Sequence, residues 1–270
     1  MQKNRVNSKG SFRRILLIAG IALIIVAAAL TSVLVNATAY VVPILMYHSI
    51  ENSSDNTKLS VSPASFDRQM EFLRKNHYNV VPLGKVVSYI KKKERPPQKT
   101  IAITFDDGFY NNYQYAYPVL KKYNIPATVF IIVNRIDNPG FLTWENIKEM
   151  AGSGIVDIGS HTKVHFWLLG SDDRFLQDEV AGSKKILEEK LGKKVDFFCY
   201  PMGAFDAKSK KAVEDAGYLG AVATSPRGVA QDDLYAIKRV RVSNSADNMF
   251  IFWAKTTRLY TWFKRHKETE

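Results

Sequence analysis

Hydrophobic and polar positions along this chain follow two rhythms after a distinct beginning. Residues 1–14 carry Lys3, Arg5, Lys9, Arg13 and Arg14 with no acid, and an unbroken apolar run follows at 15–35. From residue 41 onward, short runs of branched and aromatic residues alternate with longer segments whose apolar positions recur every three to four residues. The runs at 41–47, 101–105, 127–133, 154–159, 195–200, 220–224 and 237–242 predict strands. Helices are predicted at 60–78, opening on Ser62-Pro63, at 86–90, 113–123, 143–150 with Thr143 as cap, 172–191 closed by Gly192, 207–216 closed by Gly217, and 247–265. Strand and helix alternate with no repeat and no low-complexity stretch. That order predicts an α/β fold, a parallel (β/α) barrel or a distorted version of one, as a single domain over 41–270.

The run at 15–35 reads as a transmembrane helix, since about 20 apolar residues at 1.5 Å each cross a bilayer core. No polar face interrupts it, which argues against a buried core helix. The basic end stays in the cytoplasm and the remainder is exported. Ala37-Thr38-Ala39 offers a cleavage site after Ala39, but the run exceeds the apolar region of a signal peptide. An uncleaved single-pass anchor is therefore favoured over secretion. Five of the net +12 charges lie before residue 40, leaving +7 on the exported part. Such a domain attracts anionic cell-wall polymers or lipid headgroups, whereas nucleic acid is excluded by the compartment and by the lack of a recognition motif. Cys199 is the only cysteine, so no intrachain disulfide forms.

Reactive residues concentrate where the strands end. The strand at 101–105 runs into Asp106-Asp107-Gly108, so a buried segment delivers two adjacent carboxylates at a tight turn. In a β/α architecture the C-terminal strand ends share one rim, where pockets form. Neighbouring side chains at a strand end point apart, which lets one carboxylate hold a metal while the other handles a proton. Taken alone, the same pattern fits a turn without chemistry. The first strand ends in His48, the strand at 154–159 leads into Ser160-His161 and then His165, and the strand at 195–200 leads into Tyr200-Pro201-Met202-Gly203. Two histidines four apart on one helical turn reach one ion. With one aspartate they leave positions open for water and substrate, as in a catalytic metal site. Only His77 and His266 fall outside this set.

Thr104-Phe105-Asp106-Asp107-Gly108, Ser160-His161-Thr162-x-x-His165 and Phe198-x-Tyr200-Pro201-x-Gly203 resemble the motifs of the polysaccharide deacetylase family, carbohydrate esterase family 4, over roughly residues 41–258. The resemblance implies Asp106 as catalytic base and Asp107, His161 and His165 as ligands of a divalent metal, Zn²⁺ first among the candidates. It also implies Tyr200, Pro201, Met202 and Gly203 as the substrate and oxyanion segment, with the Met202 N–H as donor. Many members carry a Leu-x-x-His motif near the C-terminus whose histidine is the general acid. Here Leu45-Met46-Tyr47-His48 supplies it at the start of the domain, a permutation resembling that of exported poly-N-acetylglucosamine deacetylases. A barrel accommodates the change because its first and last strands are neighbours.

One position departs from the family. The arginine that tethers the base in many members is replaced by Cys199, with Arg239 or Arg241 as candidates to substitute. The implied activity is hydrolysis of acetyl groups from N-acetylglucosamine residues of an extracellular or cell-wall polysaccharide, peptidoglycan or poly-N-acetylglucosamine. The motifs do not separate this from an O-acetyl esterase, and Cys199 leaves a catalytically weak carbohydrate-binding protein as another reading. Trp144, Phe166 and Trp167 offer either sugar-stacking surface or ordinary packing.

Overall fold

The computed structural model describes residues 8–37, 39–52, 59–224 and 233–267. Lys3 and Arg5 of the basic segment, and Thr38 of the small-residue site, lie outside them. The chain divides into two compact units at Ala39/Tyr40. The first is a helix, α1 (Ser8–Ala37), in which Phe12–Val33 is long and apolar enough to cross a membrane.

The second unit is a nearly closed parallel barrel with helices outside. Its staves are β1 (Ile44–Tyr47), β5 (Thr100–Phe105), β6 (Ala127–Ile131), β7 (Val156–Ser160), β8 (Phe197–Cys199), β9 (Gly220–Ala223) and a broken last strand, β10 (Ile237–Lys238) and β11 (Val240–Arg241). Two short strands, β2 (Ser49–Ile50) and β3 (Ser60–Val61), pair with each other, and β4 (Asn79–Val80) adds to β5. The last strand closes the circle by changing partners: β10 pairs with β9, and β11 pairs with β1. Arg239 is the residue at which the change occurs.

Side-chain alternation along these strands explains what ends up inside. Ile101, Ile103 and Phe105 of β5 pack outward in the cluster that includes Phe66, Met70 and Leu73 of α2 (Pro63–Lys75), whereas Ala102 belongs to the inner cluster with Ile44, Phe130, Phe197, Cys199, Val222 and Ile237. Both faces of β5 are buried, as expected for a strand between a barrel interior and a helical layer. Extending the two-residue period upward from Ala102, Ile44, Phe197 and Ile237 places Asp106, His48, Cys199 and Arg239 on the inner face. The helix α3 (Leu83–Lys92) plugs the opposite mouth with Leu83, Val86 and Val87. The same period puts Phe198 and Tyr200 in the outer layer.

Several elements differ from expectation. The helix expected at 172–191 contains a π-helical turn: α4 (Asp173–Gln177) runs through Asp178–Gly182 into α5 (Ser183–Leu191). The helix expected at 247–265 is two, α6 (Met249–Lys255) and α7 (Arg258–Lys267). The break falls at Thr256-Thr257, whose hydroxyls donate back to the carbonyls of Trp253 and Ala254. Such local bonds compete with helix continuation.

Inside the barrel, Gly159 faces Phe130. A Cβ there would lie 2.5 Å from the Phe130 ring and 3.0 Å from the Phe197 carbonyl oxygen. Gly159→Ala is therefore expected to lower stability by about 1–3 kcal/mol, the usual cost of overpacking, read as a reduced midpoint in thermal or urea unfolding. An unchanged midpoint would show that the barrel interior has room that the packing denies.

Candidate active site

Asp106 sits at the end of β5 and is 3% exposed. Arg239 reaches it from the break in the last strand: Nη1 donates to Oδ1 at 2.5 Å and Nη2 to Oδ2 at 2.7 Å. The same guanidinium donates to Thr104 Oγ1 at 3.1 Å and to Cys199 Sγ at 3.0 Å. Two parallel N–H···O bonds from a planar fork fix a carboxylate in orientation as well as in charge. Burial alone would raise the Asp106 pKa, but the charge and hydrogen bonds of Arg239 outweigh it and hold the carboxyl well below the usual carboxylate range. Cys199 is short and leaves room for a guanidinium arriving from another strand.

Of the two arginines considered as substitutes, Arg241 does not serve. It lies beyond the change of partners, paired with Met46 at the barrel rim, and its side chain is exposed.

Asp107 leaves the strand in the left-handed region, at φ 72°, which turns its carboxylate away from Asp106 and toward two histidines. Its Oδ1 lies 3.5 Å from Nε2 of His161 and 3.5 Å from Nε2 of His165. Ligand atoms around a tetrahedral zinc stand about 3.4 Å apart when metal–ligand bonds are about 2.1 Å. The Nδ1–H of His161 donates to the Cys199 carbonyl at 2.8 Å, which fixes the ring and turns Nε2 toward Asp107. Ligand atoms of Asp107, His161 and His165 all fall within 4.8 Å of one another. This donor set fits a divalent ion.

A second trio, Asp106, His161 and Cys199, is equally close. There the Arg239 cation already occupies both Asp106 oxygens and the sulfur, so a metal ion would meet a positive charge.

The segment His161 to His165 is not the helical turn expected from its spacing. It is a loop in which Thr162 and His165 both take left-handed conformations, at φ 67° and 59°. Thr162 Oγ1 accepts the His165 N–H at 2.9 Å. Burial lowers the His165 pKa, and the neighbouring His161 lowers it further, against the pull of Asp107.

His48 faces the same space, with Nε2 3.8 Å from Asp106 Oδ2. Burial depresses its pKa, opposed by Asp106 and Asp107 and reinforced by Arg239. The structure divides the segment at residues 200–203. Tyr200 is buried in the outer layer with its hydroxyl donating to the Tyr235 carbonyl at 2.9 Å, and Pro201 is buried as well, so both side chains shape the loop rather than meet substrate. Strand parity is the reason. Met202 is 59% exposed with φ 56°, and among the described residues its N–H donates to no group. Gly203 follows at φ 71° with Thr224 2.9 Å from where a Cβ would stand, which keeps this turn against the barrel.

Sequence reasoning passed over Glu179, a carboxylate 2% exposed behind the histidine loop. Its signal was an acid on the face of a helix whose other buried positions are Leu176, Val180, Ser183 and Leu187.

The polysaccharide deacetylase sequence profile matches residues 93–221. YxkH of Bacillus subtilis strain 168, a protein assigned to the polysaccharide deacetylases, is 40% identical over 202 residues, covering 74% of this chain and 71% of that one. The poly-beta-1,6-N-acetyl-D-glucosamine N-deacetylase of Staphylococcus epidermidis is 30% identical over 211 residues, covering 73% of each. The solved structure of the Streptococcus pyogenes deacetylase PplD in complex with acetate superposes with a TM-score of 0.72 at 28% identity, over 78% of this chain and 97% of that one. With its strand-end residues gathered as described and a relative this similar over most of its length, the chain belongs to the polysaccharide deacetylase family, carbohydrate esterase family 4.

Proposed function

We propose that the protein is a metal-dependent N-deacetylase that removes acetyl groups from N-acetylglucosamine residues of a polysaccharide outside the cytoplasm. The observation that carries this reading is the pairing of the Asp107, His161 and His165 donor set with an arginine-clamped carboxylate and a histidine beside it. A binding-only protein would need neither a proton acceptor nor a proton donor next to a metal. The case for weak catalysis rested on Cys199, and Arg239 answers it by reaching both Asp106 oxygens.

A divalent ion, Zn²⁺ in this reading, held by Asp107, His161 and His165 would supply Lewis-acid activation of water and of the acetyl carbonyl. Asp106 is ionised throughout the neutral range because Arg239 depresses its pKa, and each of its oxygens keeps a lone pair beyond the arginine bond. It takes the proton lost by the attacking water. His48, neutral at rest because burial lowers its pKa, lies 3.8 Å from Asp106; it takes up the proton that Asp106 has drawn from the water and, as imidazolium, gives it to the departing nitrogen. The C–N bond breaks, and acetate and an amine leave. The Met202 N–H is free to donate to the carbonyl oxygen as that atom gains charge. Exposed Phe166 and Trp167, beside His165, give apolar surface for a sugar ring or the acetyl methyl.

The similarity to the staphylococcal enzyme favours poly-β-1,6-N-acetylglucosamine as substrate, with peptidoglycan as the competing polymer. The apolar helix and its basic flank support a single-pass anchor with the barrel outside the cytoplasm, where anionic cell-wall polymers also lie.

The test is an assay of both products. The protein is expected to release acetate and free amine in equal amounts from β-1,6-linked N-acetylglucosamine oligomers. Activity should disappear with a strong chelator and return with stoichiometric zinc. Acetate without amine, from O-acetylated substrate only, would instead identify an esterase.

A further inference from the structure

We propose that Glu179 is a positioning residue whose carboxylate holds the loop carrying both histidine ligands and thereby sets the affinity of the site for its metal; the proposal rests on the reading of Asp107, His161 and His165 as a metal site. Glu179 lies on the π-helical turn Asp178–Gly182, a local widening of the helix that recurs at functional sites. Its Oε2 alone accepts two consecutive backbone N–H groups, from Lys163 at 2.9 Å and from Val164 at 3.0 Å. These are two of the three residues between His161 and His165.

The loop needs such a hold. Thr162 and His165 sit in a left-handed region that β-branched and bulky side chains avoid, and the loop has no helix or strand ladder of its own. On one side the carbonyls of Thr162 and Lys163 accept N–H groups from Val133 and Asn134, at 3.1 and 2.9 Å. On the other, Glu179 takes the N–H groups of Lys163 and Val164, for which no backbone carbonyl among the described residues is in place. Lys163 Nζ, bonded to both oxygens of Asp178 at 2.9 and 2.8 Å, ties the same loop to the same helical turn from the exposed side. If the loop relaxes, the 3.5 Å placement of His165 Nε2 against Asp107 is lost.

A role in positioning separates reach from charge. Glu179→Gln keeps the length and one acceptor oxygen but loses the charge. Glu179→Asp keeps the charge but withdraws the acceptor by one methylene. The full chain, stripped of metal and titrated with zinc against a chromophoric chelator, is expected to show about 10–100-fold weaker binding for the Asp variant and binding within about threefold of the wild type for the Gln variant, the range typical of lost outer-shell support. Thermal unfolding of the same metal-free preparations monitors the fold. Equal weakening of both variants, or wild-type affinity in the Asp variant, would overturn the proposal. If the Asp variant does not fold, Glu179→Ala, which removes the acceptor altogether, takes its place with the same expected loss; wild-type affinity in the Ala variant, or a tenfold or greater loss in the Gln variant, overturns the proposal. Failure of the wild type itself to bind zinc would instead remove the metal reading.

Discussion

Asp106→Asn is expected to lower acetate release by about 10²–10⁴-fold, the usual contribution of a positioned general base. Asparagine is nearly isosteric, so the shape of the site survives while the proton acceptor does not. Zinc content should persist, because the donor set at Asp107, His161 and His165 does not include residue 106. The substitution also leaves the buried Arg239 cation without its counter-ion, so a lower unfolding midpoint is expected alongside the lost activity, and the assay belongs well below that midpoint. Separate measurement of metal content distinguishes a missing base from a damaged site. Activity within threefold of the wild type would remove Asp106 from the chemistry.

Arg239→Met is the second large effect. In the wild type the Asp106 carboxyl is held below its unfolded value, so its stabilising contribution is complete above the unfolded pKa of about 3.9 and is lost only in strong acid. Without Arg239, burial is the first remaining influence and raises the pKa. A charged Asp106 then opposes folding at neutral pH, and protonation relieves the cost. Stability is expected to fall by about 3–5 kcal/mol at neutral pH, as when one partner of a buried pair is removed. The deficit should shrink as pH falls. The pH dependence of kcat/KM should acquire a limb in which activity drops toward acid as the base becomes protonated. Arg239→Lys should recover part of the stability, since one ammonium replaces the charge but not the two-pronged geometry. A deficit independent of pH would mean that Arg239 supports the barrel by packing alone.

How far the sequence carried depended on whether a feature was local. The barrel was legible because strand runs and helical periods alternate, and the inner residues follow from counting by twos along β1, β5, β8 and the last strand. Counting also explains the misplacement of Tyr200, which shares the outward parity of Phe198. What the sequence did not carry depends on where one strand changes partner or where a loop leaves regular geometry. Arg239 and Arg241 are indistinguishable by pattern, and only the change from β9 to β1 at residue 239 decides which guanidinium turns inward. The four-residue spacing of His161 and His165 suggested a helix. The loop that holds them uses two strained residues and a carboxylate fourteen positions beyond His165, a contact that no local pattern announces.

The most direct measurement is a crystal structure of the zinc-loaded protein with anomalous scattering recorded at the zinc edge. Expected is one zinc peak about 2.0–2.2 Å from Asp107 and from Nε2 of both His161 and His165, with Asp106 still clamped by Arg239 and His48 across from it. A peak among Asp106, His161 and Cys199, or no zinc near His165, would contradict the assignment on which the proposed chemistry stands.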